Sequence, residues 1–290
     1  MRLIIHAGTH KTASTFLQHV LVLNAGLLAA KGIYAQPDAK MTGNHGTAWM
    51  TLLEDYRHVG AHVTEATRQG RSSVLLSSED FETLIFDGRR ARLVEQAARD
   101  AGAGSVEWAF CLREPGSYFS SLMAQLSKTG FVDFLGALAS TLRDGRLRVF
   151  RERKRYPLYW DFCFDYEAHL TAFASAVTGE VRVHDFADGS PFPGHRIFEM
   201  LGVDPSTLAV PAAGSRNPRL PRDESANNRG RQLRELLLSA GMDPMVVEGL
   251  TAHARVSAAE EEEAERAVDR AFSAGMRSLL DQRVLRREEK

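Results

Sequence analysis

Short apolar runs bounded by Gly, Ser, Asp or Pro recur at residues 3–6, 74–77, 106–112 and 181–186, and each predicts a buried β-strand. Between them, residues 14–30, 89–101 and 116–127 carry apolar side chains three and four apart, with small or charged residues on the other face. That spacing predicts amphipathic helices. Strand and helix in alternation imply an α/β fold: a three-layer sandwich with a central parallel sheet flanked by helices. No repeat, low-complexity tract or Gly/Ser/Pro linker divides residues 1–290, so one domain is expected. Near the end, Ser257 and Glu260 form a capping-box pattern ahead of Val268, Phe272, Met276 and Leu279. This predicts a C-terminal helical segment over about 255–290, packed on the domain or on a second subunit, which allows a homodimer.

Charge narrows the choice of ligand. Thirty-six basic and 37 acidic side chains leave a formal net charge of −1, so no global positive field exists to hold nucleic acid by counterion release. Any bound anion needs a local site. The longest greasy stretch, residues 20–30, is interrupted by Asn24 and Gly26 and falls short of the roughly 20 residues that cross a bilayer. Cys111 and Cys163 are too few for a disulfide framework and sit in apolar runs. A soluble, cytoplasmic protein without membrane insertion is expected.

The segment Gly8-Thr9-His10-Lys11-Thr12-Ala13-Ser14-Thr15 directly follows the first predicted strand and opens the first helix. A helix start there presents unpaired N–H groups and the positive end of the helix dipole, and the lysine and hydroxyls add donors, which suits phosphate or sulfate. A nucleoside-triphosphate P-loop requires glycines where Ile5 and His10 stand, and Gly102-Ala103-Gly104 precedes a strand where a dinucleotide fingerprint would follow one.

The run from His10 to Gln18 resembles the 5′-phosphosulfate loop of the sulfotransferases that use 3′-phosphoadenosine 5′-phosphosulfate (PAPS), whose bacterial members often read His-Lys-Thr-Gly-Thr-Thr. Ala13 replaces their glycine; its methyl is a small obstruction if the residue is already helical. The resemblance asks for an Arg at the end of a later strand and a Ser eight residues on, to hold the cofactor 3′-phosphate, and Arg113 and Ser121 meet that demand. It implies the P-loop-like sulfotransferase fold, and Lys11, Thr12, Ala13, Ser14, Thr15, Arg113 and Ser121 as the PAPS site. Lys11 and Glu79 are implied as the catalytic pair, with no metal and with adenosine 3′,5′-bisphosphate (PAP) as product. Glu79, in Ser77-Ser78-Glu79-Asp80, equally suits the first turn of a helix capped by Ser77 or Ser78.

The implied reaction is sulfuryl transfer to a hydroxyl or amine of a small-molecule or saccharide acceptor. A nucleotide-dependent kinase and a non-catalytic binder on the same fold are the alternatives. Arg143, Arg146, Arg148, Arg151, Arg153, Lys154 and Arg155 form a solvated helical face or loop, or a basic rim that hints at an anionic acceptor. His45 and Trp49 lie where an acceptor could bind or where a loop packs. His58 and His62 read as surface histidines, and Tyr156, Tyr159, Trp160, Phe162 and Phe164 as core. Arg216 and Asn217 stand where a third cofactor-contacting segment would fall.

Overall fold

The computed structural model describes residues 1–39, 41–128, 133–153, 156–212, 222–253 and 256–285, so Lys154, Arg155, Arg216 and Asn217 lie outside the described residues. Its strands are β1 (Arg2–His6), β2 (Ile33–Tyr34), β3 (Ser73–Ser77), β4 (Ser105–Leu112), β5 (Arg146–Arg153), β6 (Tyr156–Cys163), β7 (Glu180–Asp185) and β8 (Val284–Leu285). The central sheet has the order β2-β3-β1-β4-β7-β8, parallel throughout except for β8, which runs antiparallel to β7. β5 and β6 form a separate antiparallel pair. The four predicted strands are β1, β3, β4 and β7.

Both faces of the sheet are buried, which is why its strands read as continuous apolar runs. Ile4, Leu75 and Ala109 face one apolar cluster together with Leu17, Val20, Leu21, Ile197 and Phe198. Leu3, Ile5, Val74, Leu76, Trp108 and Phe110 face the other. Helices therefore flank the sheet on both sides, an arrangement compatible with a three-layer sandwich.

The helices are α1 (Ser14–Leu23), α2 (Ala25–Ala30), α3 (His45–Leu52), α4 (Arg57–Arg68), α5 (Gly88–Asp100), α6 (Pro115–Ser127), α7 (Phe134–Asp144), α8 (Tyr166–Ala176), α9 (His195–Met200), α10 (Arg222–Ser239), α11 (Pro244–His253) and α12 (Ala258–Gln282). The helix expected over residues 14–30 is two helices. Asn24 breaks it, donating from Nδ2 to the carbonyls of Val20 (2.8 Å) and Ala209 (2.7 Å) and accepting from the Ala209 amide (2.9 Å). A side chain that ties itself to backbone in this way competes with the helix ladder. Pro115 opens α6 at a position where its missing N–H is harmless. Ser257 and Glu260 make the capping box of α12, which packs on α6, α7 and α8. The chain then turns back as β8, so the C-terminal segment is not helical to its end.

The basic run is also corrected. Residues 146–153 form β5, not a helical face or loop, and pair with β6 in the register Leu147↔Phe162 and Val149↔Trp160. Alternation along the strand turns Leu147 and Val149 inward and Arg146 and Arg148 to the other face. Arg148 and Arg146 both pair with the buried Asp161, at 2.8 and 3.5 Å.

Candidate active site

The chain enters the sheet at β1, builds β2 and β3 on one side, then crosses to β4 and β7 on the other. Strand order thus reverses between β1 and β4, and a parallel sheet opens a ligand crevice outside the carboxyl ends of its strands at such a point. A cavity of about 640 Å³ lies there, lined by His10, Lys11, Ala13, Ser14 and Thr15 from the loop after β1, Glu79 and Asp80 after β3, and Arg113 and Ser121 from β4–α6. All the sequence-predicted site residues except Thr12 line this one cavity. The Thr12 hydroxyl instead donates to the Thr9 carbonyl (2.5 Å) and is buried beneath the loop.

The loop is unusual in its backbone. Lys11 has φ 67° and Ala13 has φ 60°, both left-handed, and Ala13 is the N-cap of α1. Ala13 is therefore not helical, and the expectation that its methyl is tolerated for that reason fails. The position requires the conformation that glycine adopts freely and alanine does not. Alternation of left-handed residues with ordinary ones turns successive N–H groups to one side, making a concave anion nest at a helix start.

Cations converge on this nest. Arg113 donates from Nη1 to the Lys11 carbonyl (2.9 Å) and from Nε and Nη2 to Ser117 Oγ (3.1 and 2.8 Å), and its guanidinium lies 5.4 Å from the centre of the Phe186 ring. Its hydroxyl partner is thus Ser117, while Ser121 lies in the cavity wall. Burial pulls Lys11 below the ordinary lysine range, and repulsion from Lys128 and Arg113 adds to the effect against an opposing pull from Glu79. Lys128, the C-cap of α6, is exposed and outside the cavity lining, and it acts on Lys11 only through its charge.

Beneath the loop lies a feature that sequence reading missed. Glu82 is fully buried; its carboxylate accepts from the His10 amide (2.9 Å), His10 Nδ1 (2.7 Å), the Tyr118 hydroxyl (2.9 Å) and the Cys163 amide (2.8 Å). The other nitrogen of His10 stands 3.4 Å from Asp80. Burial opposes charge on this imidazole, but its hydrogen bonds to Asp80 and Glu82 prevail and raise it from 6.5 to about 10. His10 is therefore a cation that braces the nest from below. The only sequence signal was a Glu inside an apolar segment, Phe81-Glu82-Thr83-Leu84, with no partner visible nearby.

On the β3 side, Ser78 caps a 3-10 helix (Glu79–Phe86) by accepting from the Asp80 amide, with Glu79 in its first turn. The capping group is Ser78, and Glu79 keeps its carboxylate in the cavity wall, where Gln18 Nε2 donates to it at 3.3 Å. Asp80 accepts from Trp49 Nε1 (2.6 Å) and meets His45 Nδ1 at 3.0 Å. Burial would raise its carboxyl, yet His10 and His45 hold it below the usual range. Trp49 lines the cavity, whereas His45 acts from behind through Asp80.

Trp160 and Phe162 also line the cavity, so they are site wall as well as core, and Tyr159 is exposed. His58 is exposed as expected, whereas His62 is only part-exposed, its Nε2 standing 3.0 Å from Thr47 and 3.2 Å from Asp38. Comparison with family models, curated proteins and solved structures returned no match for this chain. Among the described residues, no helix is long and apolar enough to cross a membrane.

Proposed function

We propose that the protein is a PAPS-dependent sulfotransferase with a P-loop-like sulfotransferase fold, acting in the cytoplasm on an acceptor hydroxyl or amine. One observation carries this reading. An anion nest with Lys11, a strand-end arginine with Ser121, and a carboxylate from the neighbouring strand meet in one cavity at the switch point of the sheet. The donor set suits a ligand with two separated anionic groups. The nest and Lys11 fit a phosphosulfate, and Arg113, one strand over, fits a second phosphate once its planar fork exchanges Ser117 Oγ for the ligand.

PAPS would supply an activated sulfuryl group whose bond to the phosphate oxygen breaks as the acceptor oxygen bonds to sulfur. Lys11 stabilises the charge that grows on the departing phosphate oxygen. The amides of residues 12–15 and the hydroxyls of Ser14 and Thr15 orient the 5′-phosphate. Glu79 takes the acceptor proton and later returns it to water, and Gln18 holds the carboxylate in place. The experiment is transfer of labelled sulfate from PAPS to an acceptor panel by wild type and Lys11→Ala. Label transfer by the wild type that is lost in the variant supports the assignment, and equal turnover by both refutes it.

A further inference from the structure

Resting on that reading, we infer that the acceptor is an uncharged, ring-bearing alcohol or phenol, selected by a wall of Trp49, Val149, Trp160 and Phe162, and not an anionic saccharide. Sheet order separates the two ends of the cavity. Glu79 and Asp80 follow β3 on one side of the β1 loop, and Arg113 and Phe186 follow β4 and β7 on the other. The wall belongs to the Glu79 side. Trp49 is hydrogen-bonded to Asp80 and stands at 85° to Trp160, with ring centres 6.4 Å apart. Val149 lies directly across the hairpin from Trp160, and Trp160 and Phe162 both meet the His10 ring edge-on, at 5.9 and 4.9 Å. Perpendicular indoles leave a flat aromatic face against which a planar ring packs.

Charge at this end points the same way. Both nitrogens of His10 are committed to carboxylates, one at Glu82 and one at Asp80. Asp80 is itself occupied by His45 and Trp49. Among the described lining residues the remaining cations, Lys11 and Arg113, serve the nest, so the acceptor end presents Glu79 and apolar rings. An anionic acceptor would meet the Glu79 carboxylate, and the lining cation close enough to feel it, Lys11, is committed to the donor. Three arginines of the basic run are engaged elsewhere: Arg143 pairs with Asp144 at 2.7 Å, and Arg146 and Arg148 are turned to Asp161 on the far face of the hairpin.

The test is calorimetric binding, without donor, of 2-naphthol and of a heparin tetrasaccharide to the wild type, Trp49→Ala and Val149→Lys, each checked for native circular dichroism. PAP is titrated into the same samples. The inference expects 2-naphthol to bind the wild type, to bind at least tenfold more weakly in both variants, and the tetrasaccharide to give no heat with the wild type. Val149→Lys keeps the test decisive if Trp49→Ala does not fold, because a lysine stem can lie along the wall with its ammonium at the opening. Tetrasaccharide binding without naphthol binding, or naphthol affinity unchanged in the variants, overturns it. Naphthol binding that responds to the variants, in protein that ignores PAP, defeats the sulfotransferase reading while supporting the aromatic wall. PAP binding without naphthol binding overturns the wall alone.

Discussion

Replacing Ala13 by glycine should stabilise this protein, although glycine weakens the interior of a helix. Ala13 sits at φ 60° and ψ 27° and joins the ladder only through its carbonyl, which accepts from the Leu17 amide at 3.1 Å. The left-handed conformation costs an L-residue about 1–2 kcal/mol. Glycine removes that strain but loses about 0.5–1 kcal/mol through the greater freedom of its unfolded state. The net gain is about 0.5–1 kcal/mol. With an unfolding entropy near 2.1 cal/mol/K per residue, a chain of 290 residues gains roughly 1–2 °C in Tm. Differential scanning calorimetry of wild type, Ala13→Gly and Ala13→Val measures it. The valine variant, β-branched in a left-handed position, should lose more than the glycine gains. A lower Tm for Ala13→Gly would refute the strain, and with it the claim that the loop is a nest whose shape calls for glycine.

Lys11→Ala should lower turnover by about 10²–10³-fold or more with little change in Tm, since the side chain faces the cavity; steady-state rates and a melting curve check both halves. Arg113→Ala should weaken PAP by about 10–100-fold, as loss of charge-assisted hydrogen bonds implies. Adenosine 5′-phosphate should weaken less but measurably, because Arg113 also holds the Lys11 carbonyl; equal losses in the two titrations would deny it the 3′-phosphate. Glu82→Gln puts an amide where every neighbour donates and should cost about 3–5 kcal/mol in urea unfolding. The folded protein holds a proton on His10 up to about pH 10 that the unfolded chain sheds near 6.5. Unfolding across that window releases a proton, so His10 contributes fully below about pH 6.5 and its stabilisation disappears as pH rises to about 10. His10→Gln should flatten that decline, and an unchanged pH profile would show that the imidazole is neutral.

The parts legible in the sequence are those whose causes are local. The β1 and β4 strands announce themselves because a sheet buried on both faces needs unbroken apolar runs, and the Lys11 loop is marked by its place between a strand and a helix. Arg113 and Ser121 could be found because their spacing matches the one the resemblance implies, and Arg113 also because strand ends in such a sheet converge. What was missed depends on partners far along the chain. Glu82 finds its donors at His10, Tyr118 and Cys163, and nothing near Glu82 in sequence tells that a carboxylate will be satisfied there. The basic run misled because seven cations look solvated in any conformation, while its strand character lay in the weaker alternation of Leu147 and Val149 with arginines. Ala13 carried its signal as an exception: a departure from the expected glycine at a place where backbone sign, not side-chain size, decides.

The central claim is that the nest and Arg113 together hold a nucleotide carrying both 3′- and 5′-phosphates. Isothermal titration of the purified protein with PAP, alongside ATP with magnesium, tests it most directly. The account predicts PAP binding in the micromolar range with a much weaker response to ATP. No heat from PAP at millimolar concentration, with saturable binding of ATP and magnesium, would contradict it.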